Sequence, residues 1–160
     1  MVILVMGVSG VGKTTVGRAL AEQLHFHFID ADDFHPPANV AKMHAGIPLD
    51  DADRAPWLAA LRAAIFGWIA ANRSVVLACS ALKASYRREL LVGPEVKLVF
   101  LNAPFEVIAG RLRTRPGHYM NPALLKSQFD TLELPQGAVT IDAAQDKDDV
   151  VIALRAALGF

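Results

Sequence analysis

The sequence contains very little cysteine, no excess of charge of either sign and no hydrophobic run long enough to span a bilayer. Cys79 is the single cysteine, which excludes an internal disulfide and a metal site made of cysteines. The 16 basic and 16 acidic residues give a formal net charge of zero, which argues against a broadly basic nucleic-acid-binding surface. The first apolar run, Val2–Met6, has neither a basic leader nor the ~20 residues of a membrane span. We therefore expect a cytoplasmic protein that binds neither nucleic acid nor membrane.

The 160 residues, 53% of them hydrophobic, contain enough apolar material for one packed core, so we expect a single domain over residues 1–160. Short apolar runs of strand length alternate along the chain with segments of helical periodicity. The predicted strands are Val2–Met6, His27–Ile29, Val75–Ala78, Val96–Leu101 and Ala138–Ile141. This alternation predicts an α/β fold with a parallel sheet covered on both faces, in which ligands bind beyond the carboxyl ends of the strands.

The longest helical pattern follows a predicted loop over 46–53. Trp57 and Trp68 share one face of this pattern, where we expect them to be core residues. Asp53 is the expected N-cap of this helix, because its carboxylate can accept a hydrogen bond from a free amide of the first turn. Cys79 is expected to be a small buried residue.

The strongest functional signal is Gly7–Thr14, which fits the pattern G-x-x-x-x-G-K-[ST] between a predicted strand and a predicted helix. The glycines allow successive backbone N–H groups to point into one concavity, and the helix N-terminus adds positive potential. Lys13 would reach the outer phosphates of a nucleotide, and the Thr14 hydroxyl would bind Mg²⁺. We predict that ATP contacts this phosphate loop and the residue after it: Gly7, Val8, Ser9, Gly10, Val11, Gly12, Lys13, Thr14 and Thr15.

The acidic partner of the phosphate loop is predicted to be the cluster Asp30, Asp32 and Asp33, directly after the second strand. The chain lacks the Asp-x-x-Gly and Asn-Lys-x-Asp segments of G-proteins, and its third strand runs into Cys79 rather than into an acidic residue. One carboxylate could hold Mg²⁺ through water, and another could accept the proton of an acceptor hydroxyl. The residue pattern leaves open which of the aspartates takes which role. A role in forming the turn is the alternative.

A mobile lid is predicted over residues 112–122, where a helix enters a loop with two prolines and a glycine. Arg111 and Arg115 lie at this helix end, and closure would bring a guanidinium group onto the transferred phosphoryl group. A solvated helix terminus is the alternative reading of these arginines. His118 lies in the same loop, although a loop histidine is more often solvated than functional.

An acceptor-binding segment is predicted over residues 32–56. Arg54 follows an acidic loop and could bind a carboxylate of the acceptor, or pair with a neighbouring Asp. Lys83 opens a helix, where a lysine opposes the helix dipole, so a ligand and a structural role are equally open for it. His35 lies in a loop that faces the proposed site, with solvation again the more common outcome for such a histidine.

Beyond the phosphate loop, several segments resemble the thermoresistant type of gluconate kinase, in order along most of the chain. They are Asp30–Pro36, Asn39–Met43, Gly46–Arg54, Pro56–Leu58, Cys79–Lys83, Tyr86–Arg87, Arg115–Met120 and Ser127–Glu133. Cys79–Lys83 and Ser127–Glu133 are far more specific than the phosphate loop. Ala31 stands where members often have Gly, and Thr14 where many have Ser. A threonine hydroxyl also serves Mg²⁺ in this loop, so the chemistry is retained.

This resemblance implies ATP-dependent phosphorylation of D-gluconate at its 6-hydroxyl with Mg²⁺, commonly in a homodimer. It implies a three-layer α/β/α P-loop NTP hydrolase fold, with five parallel strands in the order 2-3-1-4-5 and a mobile lid. The resulting assignments are Lys13, Asp32 and Arg115 in catalysis, Thr14 and Asp30 at the metal, Arg111 at the nucleotide, and Asp32, His35, Arg54, Lys83 and His118 at gluconate.

Two other functions stay open. A shikimate kinase also pairs an Asp-x-Asp segment with arginines, but that family carries a glycine triplet where this chain has Cys79-Ser80-Ala81. The other alternative is a non-catalytic ATP-binding regulatory module. The predicted lid and acceptor-binding segment argue against it, since a nucleotide sensor needs neither.

Overall fold

The computed structural model describes residues 1–114 and 122–160, in which five strands alternate with helices. The strands are β1 (Val2–Met6), β2 (His27–Asp30), β3 (Val75–Ala78), β4 (Val96–Asn102) and β5 (Val139–Asp142). The helices are α1 (Lys13–Leu24), α2 (Pro37–His44), α3 (Asp51–Ala70), α4 (Ala84–Leu90), α5 (Phe105–Thr114), α6 (Pro122–Thr131) and α7 (Lys147–Leu158), with a 3₁₀ turn at Ala31–Phe34. In this part of the chain no helix is long and apolar enough to cross a membrane.

The strands form one parallel sheet in the order β2-β3-β1-β4-β5, which confirms the expected strand order. β1 is the central strand, and all five of its residues are buried. A strand buried on both faces needs apolar residues throughout, which explains the unbroken run Val2–Met6. The phosphate loop leaves β1 at its carboxyl end, between its neighbours β3 and β4, so the sheet places this loop at the centre of its ligand-binding edge.

Two apolar cores cover the two faces of the sheet. Alternate residues of β1 point to opposite faces, so Leu4 joins the core with α3 and α4, and Ile3 the core with α1, α5, α6 and α7. Trp57 and Trp68 are buried in the first core, as expected for core residues. Cys79 is buried there as well. The layers are therefore helix, sheet and helix.

The predicted N-cap of α3, Asp53, is wrong. The N-cap observed in the structure lies three residues earlier. Asp50 is the N-cap, and its carboxylate accepts a hydrogen bond from the Asp53 N–H at 2.7 Å. Asp53 returns the contact through its own carboxylate, which accepts from the Asp50 N–H at 3.1 Å. This reciprocal capping box fixes the start of the helix that carries Arg54.

Candidate active site

The phosphate loop folds into the concave turn that its glycines predict. Gly7 and Gly10 have positive φ angles of 153° and 81°. A Cβ atom on Gly7 would lie 2.8 Å from the carbonyl oxygen of Leu101, so no larger residue fits between β1 and β4 at this point. Gly12 is the N-cap of α1 and makes no side-chain capping bond. The free amides of the first turn of α1 are therefore available to an anion.

Lys13 lies over the phosphate loop and donates a hydrogen bond from Nζ to the Val8 carbonyl oxygen at 2.9 Å. Removal of its ammonium group from water lowers the pKa of Lys13 to about 8, although the nearby carboxylates of Asp32 and Asp30 oppose this shift. A negatively charged ligand would raise the pKa of Lys13 again and stabilise its charged form. Lys13 is thus placed where its poorly hydrated ammonium group could bind a polyphosphate.

Asp30 and Asp32, at the end of β2, share a cavity of about 310 Å³ with the phosphate loop. Asp30 caps the 3₁₀ turn, and its Oδ1 accepts from the Asp32 N–H at 2.9 Å. Partial loss of hydration, together with the neighbouring Asp30 carboxylate, raises the pKa of Asp32 above its usual value. The lining residues are Ser9, Gly10, Lys13, Thr14, Asp30, Asp32, Ala78, Cys79 and Ser80. The structure therefore places the predicted metal, hydroxyl and phosphate residues around one space.

Oxygen donors are available for a divalent cation in this cavity. The Thr14 hydroxyl and the Asp30 carboxylate both line it, and hard oxygen ligands are those that Mg²⁺ prefers. Over residues 1–114 and 122–160 no group of three or more His, Cys, Asp or Glu side chains could hold a metal ion by itself. This donor set fits Mg²⁺, which takes few protein ligands and shares its coordination with waters and substrate phosphates.

The side chain of His35 is only 5% exposed, so the alternative of a solvated loop histidine is wrong for it. Its ring stacks on Trp57 at a centroid distance of 4.5 Å, and its Nε2 lies 3.7 Å from Asp32 Oδ1. Burial lowers the pKa of His35. The negative charge of Asp32 opposes this shift, and the positive charge of Arg54 adds to it. The neutral imidazole is thus favoured next to Asp32.

Asn39 determines which ring nitrogen of His35 carries the proton. Asn39 is only 2% exposed, and its Nδ2 lies 2.8 Å from the carbonyl oxygen of Asp53 and 3.2 Å from His35 Nδ1. A carbonyl oxygen only accepts, so the amide nitrogen must donate to Asp53 and has one proton left for Nδ1. Nδ1 is then the acceptor, and the N–H of neutral His35 lies at Nε2, on the side of Asp32.

The predicted acceptor cations, Arg54 and Lys83, meet at Tyr86. Arg54 lies over the Tyr86 ring at 5.7 Å and donates to its hydroxyl at 3.3 Å. Lys83 pairs with Asp51 at 3.0 Å, and the Tyr86 hydroxyl donates to the same carboxylate. Both hydrogen bonds lower the pKa of Asp51, and the one from Tyr86 has the larger effect. The cluster joins the start of α3 to the start of α4.

Sequence reasoning missed Asn39, Asp51 and Tyr86 as members of the site. Asn39 follows His35 by four residues, a spacing that could have suggested a contact across one helical turn. Asp51 was one of several loop aspartates, and Tyr86 had the spacing of a core residue. Nothing in the local sequence indicated that these two would meet, since 35 residues separate them.

A second cavity, of about 260 Å³, lies on the other side of the phosphate loop. Gly12 and Thr15 line it together with Arg111, Gln145 and Lys147. The Arg111 guanidinium donates to the Gln145 carbonyl oxygen at 3.4 Å, which holds α5 against the turn after β5. The predicted nucleotide contacts Thr15 and Arg111 are thus brought together, whereas Arg115 and His118 lie outside the described residues.

Comparison with known proteins extends the likeness beyond these residues. The family model for shikimate kinase matches residues 9–138. The chain is 49% identical to a gluconokinase of Gluconobacter oxydans over 135 residues, which cover 83% of this chain and 75% of that protein. It is 44% identical to the thermosensitive gluconokinase of Escherichia coli over 160 residues, which cover 97% of this chain and 86% of that protein.

A solved structure gives the same result in three dimensions. The crystal structure of a gluconokinase from Sinorhizobium meliloti superposes with a TM-score of 0.88 at 45% sequence identity. The match covers 98% of this chain and 90% of that one. The similarity is therefore not confined to the phosphate loop but extends over nearly the whole chain.

Proposed function

Because the chain belongs to the gluconokinase family, and over residues 9–138 to the family that the shikimate kinase model describes, we propose that it phosphorylates D-gluconate with ATP. The products are 6-phospho-D-gluconate and ADP. One observation supports this proposal above the others: the phosphate loop and the aspartates after β2 line a single cavity. A phosphoryl donor and an alcohol can meet there without a covalent enzyme intermediate.

The nucleotide is proposed to lie along the phosphate loop. Backbone amides at the start of α1 bind its phosphates, and Lys13 adds a positive charge at the outer ones. The cavity beside Gly12 and Thr15 is large enough to receive part of the nucleoside, with Arg111 as one wall. Mg²⁺, when bound, neutralises the phosphates; the Thr14 hydroxyl and the Asp30 carboxylate are the residues that would hold it.

The acceptor is proposed to lie between Asp32 and Arg54. Asp32 orients the 6-hydroxyl and accepts its proton as the hydroxyl oxygen bonds to phosphorus and the bond to the ADP oxygen breaks. Arg54 and Lys83 face the sugar-acid carboxylate. The Nε2–H of His35 lies beside Asp32 and is available as a hydrogen-bond donor to the acceptor. The reverse assignment of Asp30 and Asp32 is the alternative within this mechanism.

Arg115 and His118 stay predictions from the sequence, as do the homodimer and the cytoplasmic location.

An assay of ADP release with different acceptors tests this function. The protein with MgATP should form ADP rapidly with D-gluconate and slowly without an acceptor. Faster release with shikimate than with gluconate would instead favour a shikimate kinase. Equal release with and without every acceptor of a sugar-acid panel would favour the regulatory ATP-binding module.

Arg54→Met supplies the matching test of the acceptor site. Loss of a guanidinium–carboxylate contact should raise the KM for gluconate by about tenfold or more and leave the KM for ATP unchanged. Arg62→Met is the control, because Arg62 lies on the same helix and pairs with Glu89 at 3.6 Å on the surface. Equal effects of the two substitutions would exclude Arg54 from the acceptor site.

A further inference from the structure

Gln128 on α6 forms two reciprocal hydrogen bonds with Ser9 of the phosphate loop, 119 residues away in sequence. The Ser9 N–H donates to Gln128 Oε1 at 2.7 Å. Gln128 Nε2 donates to the Ser9 hydroxyl oxygen at 2.9 Å. A backbone N–H can only donate, so it fixes which end of the carboxamide is oxygen and which is nitrogen.

This geometry excludes one direction for the Ser9 hydroxyl proton, the one toward Gln128 Nε2. A hydroxyl group has one proton to donate and two lone pairs to accept with. Since the oxygen accepts from Gln128, the proton is directed elsewhere. Ser9 lines the cavity that also contains Lys13, Thr14 and Asp32, where the terminal phosphoryl group of ATP lies in the proposed function.

We propose that Gln128 is a positioning residue that turns the Ser9 hydroxyl proton toward the terminal phosphoryl group of ATP. The inference rests on the proposed function, because it requires ATP to occupy the phosphate loop. Ser9 makes the contact with the nucleotide, and Gln128 acts through Ser9. ADP lacks the terminal phosphoryl group, so losing this charge-assisted hydrogen bond should weaken the binding of ATP and leave that of ADP unchanged.

The anchoring of α6 supports a positioning role over a chance surface contact. Glu133, just beyond the helix, donates its N–H to the Leu82 carbonyl oxygen at 2.9 Å, and its carboxylate accepts from the Ala84 N–H at 3.2 Å. The buried Arg87 donates to the Glu133 carbonyl oxygen at 2.8 Å. One end of α6 is thus tied to the turn after β3, so Gln128 reaches Ser9 from a fixed support.

Binding of ATP and of ADP to Gln128→Met, each with Mg²⁺ and measured by calorimetric titration, tests the proposal. Methionine keeps the length of the side chain but removes both hydrogen bonds. The Kd for ATP should rise by roughly tenfold, the usual worth of a hydrogen bond to a charged group, and the Kd for ADP should not change. Gln136→Met, at an exposed glutamine beyond α6, is the control and should bind both nucleotides like the unchanged protein.

A double-mutant cycle separates positioning from general support of the loop. Ser9→Ala should lose the same ATP affinity as Gln128→Met, and the double variant should lose no more than either single one. Equal weakening of ATP and ADP, additive losses, or unchanged ATP binding in Gln128→Met would each overturn the proposal. These titrations contain no acceptor, so a failure to phosphorylate gluconate would refute the proposed function separately.

Discussion

At the scale of single residues, the proposed mechanism depends most on the Asp32 carboxylate, which shares a cavity with Lys13 and lies 3.7 Å from the His35 ring. Asp32→Asn keeps the shape of the side chain but removes its capacity to accept a proton. We expect kcat with gluconate to fall by at least ~10²-fold, the lower end of what a general base contributes. The affinity for ATP should be retained, because the phosphate loop is unchanged. Steady-state kinetics and nucleotide titration measure the two quantities.

Asp33→Asn is the matched control for this substitution. Asp33 is the next carboxylate along the chain and is exposed, but it does not line the cavity. Its substitution should leave kcat within the error of the assay. Retained gluconate phosphorylation in Asp32→Asn would move the hydroxyl contact to Asp30 or Asp33.

Residues whose role depends on local spacing could be predicted from the sequence, and those whose role depends on distant contacts could not. The phosphate loop carries its own geometry, since glycines and a following helix suffice to define it. Asn39 contacts His35 in a fixed orientation only because the carbonyl of Asp53 holds its amide. Tyr86 contacts Arg54 only because α4 packs beside the start of α3. No periodicity encodes such pairs.

At the scale of secondary-structure elements, two helices begin with an aspartate N-cap but differ in its hydrogen bonding. Asp50 at α3 accepts from the Asp53 N–H, whereas Asp146 at α7 makes no side-chain capping bond. We expect Asp50→Ala to lower the free energy of unfolding by about 1 kcal/mol, the usual worth of an N-cap. Asp146→Ala should change it little, as measured by urea denaturation of both variants. If both variants lost the same free energy of unfolding, the side-chain capping bond of α3 would add nothing to stability.

The same helix shows why element boundaries are harder to predict than the elements themselves. The apolar face of α3, from Trp57 to Trp68, was evident from its spacing. Its first turn was not, because Asp50 and Asp53 are both good capping residues. The capping box uses both of them, and the first, Asp50, is the N-cap.

At the scale of the whole molecule, the class of the fold follows from the sequence pattern, but the strand order does not. Alternating strands and helices indicate a parallel sheet. Placing β1 between β3 and β4 required the resemblance to a known family, since strand pairing is a matter of long-range contacts. The consequence for function is that the phosphate loop rests on one core, with Val8 and Val11, and the predicted acceptor-binding segment on the other, with Phe34.

We propose that these two cores unfold as one domain over residues 1–160, because β1 contributes alternate residues to both. Leu61→Ala opens the core beside α3 and Leu154→Ala the core beside α7; both side chains are fully buried, so each change should cost about 2–5 kcal/mol. The two tryptophans lie in the first core, so their fluorescence reports on it, while circular dichroism reports on all helices. For Leu154→Ala the two signals should shift together in one transition. A fluorescence midpoint that stays in place while the dichroism midpoint falls would show that the two faces unfold independently.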